Sequence, residues 1–88
     1  MITICTNDDA YGESTDAQIA AVKTRTEIIC REMGLLYRYA DTQLFVPDDD
    51  LSESALVFEL AMGCRSKIPL EFVDAYAAAN RECPIPEN

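Results

Sequence analysis

Histidine does not occur among the 88 residues of this chain, and this limits the chemistry that its side chains can perform. Without histidine there is no Ser-His-Asp or Cys-His nucleophile system, no imidazole metal ligand and no ordinary base near neutral pH. Catalysis would have to use carboxylates, tyrosine, lysine or cysteine. The sequence shows no established catalytic set of these residues, which favours a non-enzymatic protein that needs no cofactor.

Two acidic clusters supply the densest groups of charged side chains. One is Asn7-Asp8-Asp9, followed by Glu13, and the other is Asp48-Asp49-Asp50. The second cluster fits part of the ligand pattern of an EF-hand calcium loop, but Glu53 stands where that loop requires glycine. We therefore predict no metal site and interpret the clusters as solvated loops, the second at the start of a helix that either Asp50 or Ser52 caps.

The four cysteines are scattered at Cys5, Cys30, Cys64 and Cys83, with no Cys-x-x-Cys pair. We expect them to be reduced and mostly buried, as in an intracellular protein. The first residues lack the basic region of a signal peptide, and no apolar run approaches the ~20 residues of a membrane-spanning helix. These features predict a cytoplasmic location.

The charge balance is strongly acidic. Sixteen Asp and Glu residues face seven Lys and Arg residues, which gives a formal net charge of −9. Such a surface repels nucleic acid and anionic membranes and attracts basic partners. We therefore expect a larger protein with a basic surface as partner, and no direct binding to nucleic acid or membrane. Acidity that serves only solubility is the alternative interpretation.

Local patterns predict one α+β domain over residues 1–88, with 83–88 as a short tail. The predicted element order is β-α-β-β-α-α: a sheet of about three strands with three helices packed mainly on one face. The strand order stays open. The predicted elements are a strand at 1–5, a loop at 6–14, a helix at about 16–33, strands at 36–39 and 43–46, a helix at 51–63, and a helix starting near Pro69.

The signals for the first helix are the strongest. Thr15 and Gln18 form a capping box, Gly34 ends the helix, and Glu27 and Arg31 are spaced to form an ion pair. The third helix is predicted to have two neighbouring apolar edges, one formed by Leu70, Val73 and Ala77 and the other by Phe72, Tyr76 and Ala79, with Ala78 facing away. Tyr37 and Tyr39 alternate along the second strand, so they share a face and form a contact patch with Phe45.

The segment Glu53-Ser54-Ala55-Leu56-Val57-Phe58-Glu59-Leu60, preceded by Leu44-Phe45-Val46-Pro47, resembles part of the nucleoside deoxyribosyltransferases, which reads acid-Ser-Gly-x-Ala-Phe-Glu-Leu. The resemblance implies that Glu59 is the nucleophile that attacks the sugar and that Glu53 matches the upstream acid. Ala55 and Ala61 stand where that family has glycine, which puts close approach of a sugar in doubt. The resemblance covers a short part of the chain.

Three functional hypotheses follow. The first is a small acidic inhibitor that occupies a basic, nucleic-acid-binding site on a larger protein. Its composition is like that of phage-encoded inhibitors, including anti-CRISPR and DNA-mimic proteins. The second is a reduced deoxyribosyltransferase-like domain built on Glu59, and the third is a homodimeric subunit paired through helix 51–63. The partner-binding residues predicted by the first hypothesis are Asp8, Asp9, Glu13, Tyr37, Tyr39, Asp48, Asp49 and Asp50.

Overall fold

The computed structural model describes residues 1–41 and 52–87. In these ranges the chain is α+β, with three α-helices and a two-stranded parallel sheet. The predicted strand at 43–46 lies outside the described residues, so the three-stranded sheet is not confirmed. The elements are β1 (Ile2–Cys5), a 3-10 turn (Asp8–Tyr11), α1 (Asp16–Met33), β2 (Tyr37–Ala40), α2 (Glu53–Met62), a second 3-10 turn (Leu70–Phe72) and α3 (Val73–Glu82).

The first forty residues form a β-α-β unit. β1 and β2 pair in parallel, with Ile2 opposite Tyr37 and Cys5 opposite Ala40. Parallel neighbours need a crossover connection, and α1 supplies it. α1 also packs against β1, α2 and α3, so it is the central element of the described fold.

α1 has the predicted bounds because its local signals agree. Thr15 and Gln18 form both hydrogen bonds of the capping box, and Gly34 takes the left-handed conformation that ends the helix. The apolar stripe is buried at Ile19, Val22 and Ile29. The predicted Glu27–Arg31 pair is absent from the described ion pairs, since Arg31 contacts Glu82 of α3 and Glu32.

The stretch 6–14, predicted to be a polar loop, contains the first 3-10 turn and contributes to the core. Tyr11 is 5% exposed and its ring lies 6.0 Å from that of Phe58 on α2. Its hydroxyl donates to the Cys5 carbonyl at 2.7 Å. A tyrosine can be buried where its hydroxyl finds an acceptor, and the sequence pattern alone does not reveal that acceptor.

α2 begins at Ser52, whose hydroxyl caps the Ala55 amide, and ends at Gly63. Its broad apolar surface is used within the chain: Val57 and Leu60 are buried, and Phe58 is half-buried. No large apolar side chain of α2 is among the exposed ones in the described part of the chain. The structure therefore gives no support to a homodimer formed through helix 51–63.

Of the two predicted apolar edges of α3, the one with Phe72 and Ala79 is buried, and the one with Leu70 and Val73 is wrong. Leu70 is 87% exposed and Val73 42% exposed, whereas Ala75, Ala78 and Ala79 are buried. The chain enters α3 through a 3-10 turn, which has about 3.0 residues per turn against 3.6 in an α-helix. The edge of Leu70, Val73 and Ala77, predicted by continuing the α-helical period from Pro69, is therefore rotated away from the core.

Arg25 of α1 forms hydrogen bonds to the C-terminal ends of α2 and α3. The residue is 1% exposed, and burial lowers the pKa of its guanidinium, which remains charged. The group donates to three neutral oxygens and lies 5.9 Å from the Tyr76 ring centroid. Its acceptors are the carbonyls of Ala61 and Cys83 and the side-chain oxygen of Asn80, at 2.7–3.0 Å.

Candidate functional site

The most exposed organised group of side chains is on β2. Tyr37 and Tyr39 project from the same side of the strand, and their rings meet edge to face at 6.1 Å and 88°. They are 40% and 52% exposed, so two adjoining aromatic rings are left uncovered. The Tyr37 hydroxyl donates to the carboxylate of Glu27 on α1 at 3.1 Å. We call Glu27, Tyr37 and Tyr39 the tyrosine edge.

The tyrosine edge keeps its phenols protonated. The pKa of Tyr37 is raised, first by the hydrogen bond to Glu27 and then by the negative charge of that carboxylate. The pKa of Tyr39 is raised to about 12, first by partial removal from water and then by Glu27. At neutral pH the edge therefore offers two aromatic rings and polar hydroxyls beside one carboxylate.

The predicted acidic loop lies at the carboxyl end of the sheet. Asn7 accepts from the Asp9 amide at 3.0 Å and so organises the 3-10 turn. The amide of Thr6 donates to the Ala40 carbonyl at 3.0 Å, so the chain segments that follow β1 and β2 leave the sheet side by side. This places Asp41, two residues after Tyr39, at the same end of the sheet as the acidic loop.

The individual acidic residues differ in their contacts. Asp8 forms an ion pair with Lys23 at 3.3 Å, so part of its charge is balanced within the chain. Asp9 and Glu13 are exposed and have no ion-pair partner among the described residues. The predicted contact residues Asp48, Asp49 and Asp50 and the patch residue Phe45 lie outside the residues that the structure describes.

Much of the scarce positive charge is used internally. Arg25 binds neutral oxygens in the core, and Lys23, Arg31 and Arg65 are in ion pairs. Only three other basic residues occur in the sequence, and they are Arg38, Lys67 and Arg81. The surface available to a partner is therefore dominated by carboxylates.

A second organised region follows α2. An open hollow of about 370 Å³ is lined by Glu59, Cys64, Arg65, Ser66 and Lys67, and we call it the Arg65 hollow. Arg65 donates to the Glu59 carboxylate at 2.5 Å and to the Lys67 carbonyl at 2.8 Å. Glu59, the nucleophile implied by the resemblance, thus lines a concave surface but is ion-paired there.

Glu53, the other residue implied by the resemblance, is not part of the hollow. It lies in the first turn of α2 and is exposed. Five residues of α-helix lie between it and Glu59, so the two side chains point in different directions. The structure does not bring these two carboxylates together as a catalytic pair.

Sequence reasoning missed Glu27 and the Arg65 hollow as site components. Glu27 was expected to pair along its own helix, whereas its described contact is with the strand across the β-α-β crossover. Arg65-Ser66-Lys67 was visible as a small basic cluster, but only the fold shows that it faces Glu59 across a hollow. Both contacts join residues across a turn, ten and six positions apart, so helix or strand periodicity does not indicate them.

Two further properties bear on function. Within residues 1–41 and 52–87, no three side chains of His, Cys, Asp or Glu come together as metal-ion ligands. None of the described helices is long and apolar enough to cross a membrane. Comparison of the chain with protein-family models, curated proteins and solved structures found no match.

Proposed function

We propose that this chain is a small non-enzymatic binding protein whose acidic surface, centred on the tyrosine edge, occupies a basic site on a larger protein. The observation that carries the proposal is the exposed, edge-to-face pair Tyr37–Tyr39, anchored to Glu27. Tyrosine is enriched among the residues that dominate binding energy at interfaces.

The geometry of the tyrosine edge lowers the entropic cost of binding. The ring contact restricts both side chains, and the hydrogen bond to Glu27 fixes the Tyr37 hydroxyl before a partner arrives. A partner's Arg or Lys can lie over a tyrosine face and reach the Glu27 carboxylate at the same time. The edge therefore fits basic side chains better than apolar ones.

The overall charge supports the same kind of partner. The chain carries a net charge of −9, and four of its seven basic residues are engaged within the fold. Such a field accelerates encounter with a basic surface and weakens at high salt. A surface built to bind phosphate backbones has the matching charge, so we propose an inhibitor of a nucleic-acid-binding protein.

The test is capture of partners by the tagged protein at about 0.05 M and about 0.5 M salt. The key variant is Tyr37→Ser combined with Tyr39→Ser, and Leu70→Ser is the matched control because Leu70 is exposed on a different element. We expect a partner held by wild type and L70S, released at high salt, and bound at least about tenfold more weakly by the double tyrosine variant. Equal binding by the double tyrosine variant would refute the tyrosine edge as the contact.

A triple variant, Asp48→Asn, Asp49→Asn and Asp50→Asn, tests the predicted acidic run outside the described residues. Neutralising three carboxylates should lower the association rate and flatten its salt dependence. If binding to the captured partner is unchanged in rate and affinity, the inhibitor hypothesis loses that element and keeps only the tyrosine edge.

A second candidate function is nucleoside processing at Glu59, which the position of that residue in the Arg65 hollow favours. Its test is incubation of the purified protein with deoxynucleosides and free bases, followed by chromatography for base exchange or release. Turnover that disappears in Glu59→Gln, with the circular dichroism spectrum unchanged, would support this function. No turnover by the wild type would leave the binding function as the better account.

A further inference from the structure

The Arg65 hollow differs in charge from the rest of the described surface. Two cations, Arg65 and Lys67, line it against the single carboxylate of Glu59. The lining therefore carries a formal excess of positive charge on a chain whose net charge is −9. A concave, locally positive surface on an acidic protein concentrates small anions that the remaining surface repels.

The hollow also contains hydrogen-bond donors that the fold does not use. The Arg65 guanidinium donates through Nη1 to Glu59 and through Nε to the Lys67 carbonyl, which orients the group and leaves Nη2 unused among the described contacts. The Ser66 hydroxyl and the Lys67 ammonium have no hydrogen-bond partner among the described residues. Guanidinium, hydroxyl and ammonium donors together are the usual ligands of a phosphate group in proteins.

We propose that the Arg65 hollow binds a phosphate group, either as inorganic phosphate or on a small sugar phosphate. Lys67 and Ser66 contact the phosphate oxygens, and Arg65 is shared between the phosphate and Glu59. Glu59 acts as an internal competitor that holds Arg65 in place and weakens anion binding through like-charge repulsion. The volume of about 370 Å³ leaves room for a sugar beside the phosphate. This site is independent of the tyrosine edge and of the partner proposed above.

The Glu59 charge distinguishes the Arg65 hollow from a nonspecific basic patch, because removing it should tighten phosphate binding at this place. Glu59→Gln keeps the shape of the side chain and removes its charge, so it should tighten phosphate binding by roughly three- to tenfold. Lys67→Ala should weaken binding by a similar factor. Arg81→Ala is the matched control, because it removes an exposed positive charge on α3 that does not line the hollow, and it should leave binding unchanged.

The measurement is an NMR titration of ¹⁵N-labelled protein with inorganic phosphate and, in a second arm, ribose 5-phosphate, at constant ionic strength. We expect amide shifts concentrated in residues 64–67, and the arm with the higher affinity identifies the source of the phosphate group. The spectra also report whether each variant is folded. Shifts spread over the whole surface, equal losses in K67A and R81A, or no gain in E59Q would overturn the proposal.

Discussion

The helix junction around Arg25 and the tyrosine edge both carry large side chains with polar ends, but these ends find their partners in different places. Arg25 is 1% exposed and donates to three oxygens of the chain itself. Tyr37 and Tyr39 are 40% and 52% exposed, and they are restrained by their ring contact and by Glu27. The first arrangement contributes to folding, whereas the second leaves aromatic surface available to another molecule.

The difference indicates how stability and binding are separated in so small a chain. In the junction the Arg25 side chain and the Ala61 carbonyl are buried, so a lost partner is costly there, while the hydroxyls of the tyrosine edge can exchange a partner for water. Substitutions at the junction should therefore change the free energy of unfolding, and substitutions at the tyrosine edge should change binding. The loss in free energy of unfolding should be largest at the junction and smallest at the tyrosine edge.

The largest effect is expected for Arg25→Met. Methionine fills part of the volume but leaves the buried Ala61 carbonyl and two part-buried oxygens without their donor, so the free energy of unfolding should fall by about 3–5 kcal/mol. Arg25→Lys should fall between wild type and R25M, because one ammonium cannot reach all three acceptors. The acceptors are on Ala61, Cys83 and Asn80. Urea unfolding followed by circular dichroism measures the change.

The control for this prediction is Arg81→Ala, which removes an exposed guanidinium from the last turn of α3. Its effect should stay within about 0.5 kcal/mol. If R25M were as stable as R81A, the hydrogen bonds of Arg25 would not stabilise the fold. The junction would then not differ from the tyrosine edge in its contribution to stability.

How far the sequence predicts the fold depends on the range of the interactions. α1 has the predicted bounds because Thr15, Gln18 and Gly34 act within one turn of the helix ends. The predicted edge of α3 with Leu70 and Val73 is wrong because its orientation depends on the preceding 3-10 turn, for which the sequence near Pro69 carries no signal. The Arg25 junction could not be predicted, since a guanidinium bound only to neutral oxygens leaves no charge pattern in the sequence.

In the candidate site, too, local features were predictable from the sequence and contacts between elements were not. Strand alternation placed Tyr37 and Tyr39 on one side of β2, and the structure confirms that their rings are in contact. The contribution of Glu27 depends on how α1 crosses over the sheet, which the sequence does not specify. The pairing of Glu59 with Arg65 likewise depends on the turn after Gly63, so the resemblance could indicate Glu59 without indicating its ion-pair partner.

An intermediate effect is expected from alkaline pH through Tyr11. Burial is the first cause that raises the pKa of Tyr11 from 10.0 to about 12. The folded chain therefore prefers the neutral phenol, and this contribution is complete below pH 10 and is lost as pH rises through about 12. The loss attributable to Tyr11 should be roughly 2–3 kcal/mol. Burial also raises the pKa of Cys30 from 9.0 to about 11, so its contribution disappears as pH rises from 9 through 11.

The measurement is the free energy of unfolding in urea at a series of pH values from neutral to strongly alkaline, for wild type and Tyr11→Phe. The variant lacks the titrating phenol, so its stability should fall less steeply above pH 10 than that of the wild type. Parallel curves for the two proteins would show that Tyr11 is not protected from ionisation by the core.

The smallest effect is expected from Tyr37→Phe, which removes one tyrosine hydroxyl, as Tyr11→Phe does, but at the tyrosine edge. The hydroxyl removed donates to Glu27 at 3.1 Å on an exposed surface, so water can replace it and the free energy of unfolding should change by less than about 0.5 kcal/mol. Tyr11→Phe at neutral pH removes a buried 2.7 Å hydrogen bond to Cys5 and should cost about 1–2 kcal/mol.

The two phenylalanine variants differ from wild type by one oxygen atom each, so they compare the regions directly under the same urea-unfolding conditions. An equal loss of stability in both would mean that the tyrosine edge is part of the folding core, because its hydroxyl would then be as difficult to replace by water as that of Tyr11. A loss confined to Y11F, together with weaker partner binding by Y37F, would show that Tyr37 is held in place for recognition, since the hydrogen bond to Glu27 would then matter to the complex and not to the fold.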